Sequence, residues 1–227
     1  GYTVFAFLMV AATGLLWMRF KPVKTEATPE KTESDSRNLS DSGLEWTTRF
    51  GWLWYAFVPS SLMLGVTTHI TIDLAPAPLL WVIPLAIYLG SFAVVFSRTL
   101  AFDSSYLRPL VPFLTLILCW LHLDNFSASA SFLIGTHLVF LSLFALFFHG
   151  ELARSRPSSE FLTEFYIWLS LGGALGGIFN GIVAPVIFDG FVEYVGVAVA
   201  AALFLPARRR FEEWTLMTVL CSLGVIL

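Results

Sequence analysis

Long apolar runs separated by polar stretches dominate this sequence, and they restrict what the chain can fold into. A helix that crosses a hydrocarbon core of about 30 Å needs about 20 apolar residues. The runs are too long for strands and lack the alternation of period two that a half-buried strand shows. Backbone polar groups in lipid must be satisfied internally, so the runs predict an all-α, polytopic transmembrane helix bundle. The runs lie at about 1–20, 50–70, 79–97, 108–123, 130–149, 162–185 and 192–205.

The thirteen Lys and Arg residues predict which loops face the cytoplasm. The intervening loops, around 71–78, 123–130 and 186–193, contain Asp or Glu but no Lys or Arg. Because cationic side chains are costly to translocate, we expect the basic loops on the cytoplasmic side of an inner membrane. The basic residues fall into four groups: Arg19, Lys21, Lys24, Lys31, Arg37 and Arg49; Arg98 and Arg108; Arg154 and Arg156; and Arg208, Arg209 and Arg210.

Composition also indicates a membrane protein. Hydrophobic residues make up 57% of the chain and charged residues 13%, whereas a soluble domain carries about a quarter charged residues. The net charge of −3 gives no reason to expect nucleic acid as a partner. Cys119 and Cys221 both lie in apolar runs, so no disulfide framework is expected. The first expected partner is the lipid bilayer.

The order of runs predicts four segments. Residues 1–20 form a transmembrane helix, and 21–48, rich in Thr, Ser, Glu and Lys, form a disordered cytoplasmic linker. Residues 49–205 form a six-helix transmembrane half. Residues 206–227 form a cytoplasmic turn and the start of a further transmembrane helix. Because Gly1 and Leu227 both lie in apolar runs, we expect sequence to precede the first and follow the second.

One helix, a long polar linker and six helices resemble the middle of a twelve-helix major-facilitator-type protein. Residues 1–20 would then end the first half and 50–205 would form the second. The strings AFVPSSLMLGVTTHITIDLAPAPLLWVIPLAIYLGSFAVVF (56–96) and HGELARSRPSSEFLTEFYIWLSLGGALGGIFNGIVAPVIFD (149–189) resemble bacterial fused major-facilitator/spermidine-synthase-like proteins, as do VEY (192–194) and GYTVFAF at the start.

This resemblance implies a membrane region of the bacterial inner membrane followed by a cytoplasmic aminopropyltransferase-like domain. That chemistry needs a soluble α/β domain with a Gly-rich turn after a strand. The glycines near residue 175 lie inside an apolar run with no preceding strand. We therefore expect no enzyme activity, catalytic residue or cofactor in 1–227, and expect the missing first-half helices and the catalytic domain as partners.

Two groups of ionisable residues are candidates for a functional site. His137 is predicted near the middle of a span, where an ionisable side chain suggests a substrate or proton role. The alternative is a neutral imidazole bonded to a neighbouring helix, beside Thr136. His149 and Glu151, with Arg154 and Arg156, crowd the end of the fifth run, and Glu160 and Glu164 begin the sixth. They predict either ion pairs that lock this helical hairpin or a docking surface for a cytoplasmic domain or a cationic amine.

The run SLGGALGGIFNG predicts close helix packing, because small residues four apart let two helices approach. A sliding gate in a transporter is the alternative. Asn180 would form an interhelical hydrogen bond or line a pore. His69, Asp73, His122 and Asp124 on the outer side lack metal-ligand spacing, so no metal is expected. The packing glycines are Gly172, Gly173, Gly176, Gly177 and Gly181.

Three functions are compatible with these features. The first is a non-catalytic membrane domain that anchors or serves a cytoplasmic aminopropyltransferase-like domain. The second is a secondary transporter of amines or other small solutes, with its site at the bilayer midplane. The third is a structural subunit of a larger membrane complex. Apart from His137, the predicted spans contain almost no ionisable residues, which favours the anchoring function over the transporter.

Overall fold

The computed structural model describes residues 44–74, 79–97, 103–123, 129–188 and 192–205. The predicted helix 1–20, the predicted linker up to residue 43 and the predicted turn and helix 206–227 lie outside these ranges. Across the described ranges the chain is all-α and contains no strand, as the sequence predicted. The helices are α1 Trp46–His69, α2 Val82–Phe96, α3 Leu110–Leu123, α4 Ala130–Arg154, α5 Leu162–Ile178, α6 Ala184–Ile187 and α7 Val192–Leu203.

The six apolar runs predicted between residues 50 and 205 each contain one long helix, and the helices extend beyond the predicted runs chiefly at two boundaries. Helix α1 begins at Trp46, three residues before the predicted start of the six-helix half at 49. The ring of Trp46 packs against those of Phe50 and Trp168, which gives this turn a tertiary contact. Helix α4 continues past 149 to Arg154, because Glu151 and Leu152 are buried against neighbouring elements.

Short irregular segments join these helices. The Ser129 side chain accepts a hydrogen bond from the backbone N–H of Phe132 and caps the start of α4. The Asp103 side chain caps the 3-10 turn Ser104–Tyr106 in the same manner. Two π-helical turns, Ile70–Leu74 and Phe179–Val183, follow α1 and α5 directly. The second π turn contains the candidate residue Asn180, and the first directly follows His69.

Helix α1 lies at the centre of the described part of the fold. It packs most extensively against α5 and also contacts α4, α7 and α2, while α2 lies against α4 and α3 against α7. Val58, Leu62 and Val66 of α1 are fully buried in the main core, together with Phe144 and Phe148 of α4. A smaller cluster of Trp52, Leu152 and Phe165 joins α1, α4 and α5 near the loop after α4.

Within the described ranges, two helices are long and apolar enough to cross a membrane by length and composition. They are Ala130–Arg154 and the continuous helical stretch Ser159–Ile187, of 25 and 29 residues. In the most apolar window of Ala130–Arg154, 39% of the residues are buried, but only 17% in that of Ser159–Ile187. The second stretch therefore presents most of its apolar surface outward.

Candidate functional site

Glu151, near the end of α4, lies at the centre of a buried group of charges. It is 9% exposed and Arg108 is 7% exposed. Ser104 Oγ donates to Glu151 Oε1 at 2.8 Å, and Arg108 Nη2 donates to Oε2 at 3.3 Å. Arg154 Nη1 lies 3.4 Å from Oε1. Both carboxylate oxygens are thus engaged, and the buried negative charge is balanced by two guanidinium groups.

These contacts connect α4 to the segment before α3, whereas the sequence predicted a lock across the turn between α4 and α5. Arg154 also lies 3.7 Å from Asp103 Oδ1, in the same segment. Ser104, Arg108 and Asp103 were not predicted as partners of Glu151. The only signal in the sequence was that their loop belongs to the same predicted compartment as Arg154.

His149 and Glu164, two further residues of the predicted group, lie in separate contacts. His149 is 1% exposed on α4, and its Nδ1 lies 2.9 Å from Ser91 Oγ on α2. Glu164 forms an ion pair with Arg49 of α1 and accepts a hydrogen bond from Trp168 Nε1. The structure therefore distributes the predicted cluster over three helix contacts.

The three contacts lie at one end of the bundle. Trp52 Nε1 donates to Ser155 O at 3.1 Å, which connects the first turns of α1 to the residue after α4. Arg49, one turn before Trp52 on α1, pairs with the start of α5. We call this region, defined by Arg49, Arg108 and Arg154, the basic end.

His137 lies at the opposite end, which we call the histidine end and define by His69, His137 and Tyr194. The His137 side chain is 6% exposed, and its Nδ1 lies 3.1 Å from Tyr194 Oη on α7. Its ring centroid is 4.5 Å from that of His69, with the planes at 73°. The sequence predicted His137 near the middle of a span; in the structure it is the eighth of the 25 residues of α4, nearer to the start of the helix.

The neighbours of His137 also differ from the prediction. Thr136, the predicted neighbour, donates to Phe132 O within its own helix. His137 instead contacts Tyr194 and His69, and its hydrogen bond to Tyr194 on α7 agrees with the alternative considered from the sequence, an imidazole bonded to a neighbouring helix. Neither was predicted as a partner, because no spacing in the sequence relates residues on three separate helices.

An apolar groove of about 430 Å³ runs beside His137 between α3 and α4. Leu114, Ile117 and Leu121 line one wall, and Phe132 and His137 lie on the other. Among the described side chains that line it, His137 is the only ionisable one. The described lining is therefore apolar apart from a few polar groups, of which one is an imidazole.

The five predicted packing glycines fall into two groups, one in contact with α1 and one without a described contact. A Cβ at Gly172 would contact Leu53 O and lie 2.9 Å from Ala56 Cβ, and one at Gly176 would lie 2.9 Å from Ser60 Cβ. These two glycines allow α5 to approach α1 closely. A Cβ at Gly173, Gly177 or Gly181 would meet no described atom within 4 Å, so packing by these three stays a prediction.

Two polar contacts accompany this approach of α5 to α1. Asn180 Nδ2 donates to Ser61 Oγ of α1 at 2.6 Å and to Gly176 O at 3.0 Å. Ser60 Oγ donates to Gly173 O at 2.9 Å. Asn180 therefore takes part in an interhelical hydrogen bond, the first of the two roles considered from the sequence.

No family model, curated protein or solved structure matches this chain. The resemblance to fused major-facilitator/spermidine-synthase-like proteins accordingly stays a prediction from the sequence. Among the described side chains, no group of three or more His, Cys, Asp or Glu residues could hold a metal ion. The functional proposals therefore depend on the contacts at the two ends of the bundle.

Proposed function

We propose that this chain is a non-catalytic, multi-pass membrane domain of the fused spermidine-synthase-like kind, which anchors or serves a cytoplasmic aminopropyltransferase-like domain. The observation that carries the proposal is the meeting of three predicted cytoplasmic segments at the basic end. Arg49, Arg108 and Arg154 come from different parts of the chain, yet all three take part in ion pairs there.

This arrangement supports a threading in which successive helices alternate in direction. The basic end contains the beginning of α1 and the end of α4, and the histidine end contains the end of α1 and the beginnings of α4 and α7. Basic residues retained on one face of a bilayer would produce this distribution. On the proposed topology, the basic end faces the cytoplasm.

The outward surface of Ser159–Ile187 supports contact with lipid. Ile167 is 61% exposed, Ile182 65% and Val186 82%, although all three lie in one long apolar helical stretch. A soluble protein rarely leaves a large continuous apolar surface open to water. In a bilayer the same surface is matched to its surroundings, and the backbone polar groups are satisfied within the helix.

The transporter alternative has one specific observation in its favour, the groove beside His137. An amine is cationic at neutral pH and would be stabilised by a carboxylate in its site. The described side chains that line the groove include no Asp or Glu. The anchoring function therefore fits the described residues better than amine transport does.

Cysteine accessibility in intact bacterial cells tests the topology. Single reporter cysteines replace Asp73, Arg98, Arg156 and, as a lipid-facing control, Ile182 in a chain from which Cys119 and Cys221 have been removed. We expect a membrane-impermeant maleimide to label the reporter at 73 in intact cells and those at 98 and 156 only after permeabilisation. The reporter at 182 should react poorly in both conditions. Labelling of 73 and 98 under the same condition would contradict the threading.

The anchoring role is tested on the full reading frame. We expect the aminopropyltransferase-like domain to sediment with membranes when this segment is present and to become soluble when the segment is deleted. A soluble distribution in both cases would contradict the anchor. Purification only together with other chains would favour a structural subunit instead.

A further inference from the structure

The groove between α3 and α4 exists because these consecutive helices pack against different neighbours. Helix α3 lies against α7, and α4 lies against α1 and α2, while α3 and α4 touch each other at few positions. Leu118 and Phe140, 3% and 4% exposed, form the floor of the space between them. Gly135 on the α4 wall has no side chain to fill this space, since a Cβ there would meet no described atom within 4 Å.

The length of the groove matches one leaflet of a bilayer. Its α4 wall runs from Ser131 to Val139, which is about 12 Å at about 1.5 Å per residue. Each leaflet contributes half of a hydrocarbon core of about 30 Å. A transmembrane helix crosses both leaflets and would extend to about twice the length of the groove. An extended chain that ends near the bilayer midplane fits this length better than a helix does.

The lining has the polarity that a lipid tail requires. The described α3 wall consists of Leu and Ile side chains. On the α4 wall, the Thr136 hydroxyl donates to Phe132 O within its own helix, and His137 Nδ1 lies 3.1 Å from Tyr194 Oη. Ser131, the second residue of α4, places a hydroxyl at the end of the groove where the helix begins. On the proposed topology that end lies at the membrane surface, and the apolar lining continues inward from it.

The groove opens along its α4 wall. Phe132 and Val139 on this wall are 56% and 58% exposed, whereas the floor is buried. An unfilled apolar space loses the dispersion contacts of the atoms that line it. Because lipid tails are as apolar as Leu, a tail in the groove would be held by van der Waals packing against the floor and both walls. A tail on a flat helix surface has contacts on one side only.

We infer that this groove binds one acyl chain of a phospholipid from the leaflet at the histidine end. Its volume of about 430 Å³ lies within the range of about 300–1,000 Å³ that is usual for ligand pockets. The inference rests on the proposed membrane location, but not on the anchoring of a cytoplasmic domain. It assigns to α3 and α4 a bound lipid that exchanges more slowly than the lipid around the bundle.

Photocrosslinking tests this site. The whole chain is reconstituted into vesicles of phosphatidylethanolamine and phosphatidylglycerol that contain a small fraction of phospholipid with a diazirine in the middle of one acyl chain. Adducts are located by mass spectrometry after irradiation in vesicles, and again after extraction into mild detergent before irradiation. In vesicles we expect adducts both on Ile117 and Leu121 of the groove and on the outward Ile182. After extraction the adducts on Ile182 should fall about tenfold more than those in the groove.

Gly135→Leu places a side chain in the groove. We expect it to lower the groove adducts in detergent about tenfold and to leave the adducts on Ile182 in vesicles unchanged. Gly90→Leu is the matched control, because a Cβ at Gly90 of α2 also meets no described atom within 4 Å and Gly90 does not line the groove. This control should change neither set of adducts. If the elution volume shows that Gly135→Leu does not assemble, Ile117→Trp narrows the groove from the α3 wall.

Three results would overturn the inference. Equal loss of groove and Ile182 adducts on extraction would mean ordinary lipid contact only, as would groove adducts that persist in the filled variant. Adducts on Ile182 in vesicles without any in the groove would mean that another segment or chain covers it. Absence of adducts from both places in vesicles would contradict the membrane location itself, and the inference with it.

Discussion

The two ends of the bundle satisfy their polar groups by different chemistry. At the basic end, Glu151 is held by Arg108, Arg154 and Ser104, so full charges are paired and removed from water. At the histidine end, His137 contacts Tyr194 and His69, groups that can all be neutral. A neutral cluster tolerates burial at smaller cost than a charged one. The comparison indicates that the described ion pairs are concentrated at the basic end, whereas the described contacts of the histidine end join groups that can be neutral.

The largest expected effect comes from removing the buried carboxylate of the basic end. Glu151→Ala leaves Arg108, 7% exposed, without its carboxylate partner. Breaking a buried ion pair costs about 3–5 kcal/mol. We expect a loss of that size in the free energy of unfolding, measured by denaturant titration in mild detergent.

Glu164→Ala is the comparison for this substitution at the same end. Its pair with Arg49 is more exposed, with side chains 20% and 31% accessible for Arg49 and Glu164. Because solvent screens such pairs, we expect a clearly smaller loss. Equal losses for the two variants would mean that burial does not distinguish the two ion pairs.

A smaller effect is expected between the two ends, where α5 crosses α1. Gly172→Ala places a Cβ 2.9 Å from Ala56 Cβ and in contact with Leu53 O, and should destabilise the fold by about 1–3 kcal/mol. Gly173→Ala, on the adjacent open face, should change stability by about 1 kcal/mol or less. The same denaturant titration measures both. A larger loss for Gly173→Ala than for Gly172→Ala would contradict the assignment of Gly172 to the close contact with α1.

The smallest effect is expected at the histidine end. Tyr194→Phe removes the hydroxyl that contacts His137 Nδ1 and keeps the ring, so we expect a loss of about 1 kcal/mol. Tyr106→Phe, at a side chain that is 81% exposed, serves as the control and should change little. A loss as large as that of Glu151→Ala would contradict the contrast between a charged and a neutral end.

The local structure of this chain could be predicted well from its sequence. The run 162–185 predicts a helix because it is long, apolar and free of charge after Glu164, and α5 with its π turn and α6 covers that range. The approximate positions of all six long helices followed from the same reasoning. The end of α4 did not, because Glu151 and Arg154 look like loop residues until their partners are known.

The contents of the candidate sites were less predictable. His137, Glu151 and Asn180 could be chosen because polar residues in apolar runs are unusual. Their partners Tyr194, Arg108 and Ser61 could not, since they lie 57, 43 and 119 residues away along the chain. Which glycines contact α1 also could not be predicted, because both stripes have the same spacing of four residues.

The sequence by itself determined that this chain is helical, where its helices lie and which loops carry its positive charge. Each of these properties depends on neighbouring residues, through the length of an apolar run or the charge of a loop. Only the tertiary structure decided that Glu151 pairs with Arg108, that His69 meets His137 and that Gly172 lies against α1. Such contacts depend on the rotation and crossing of whole helices, to which many side chains contribute at once.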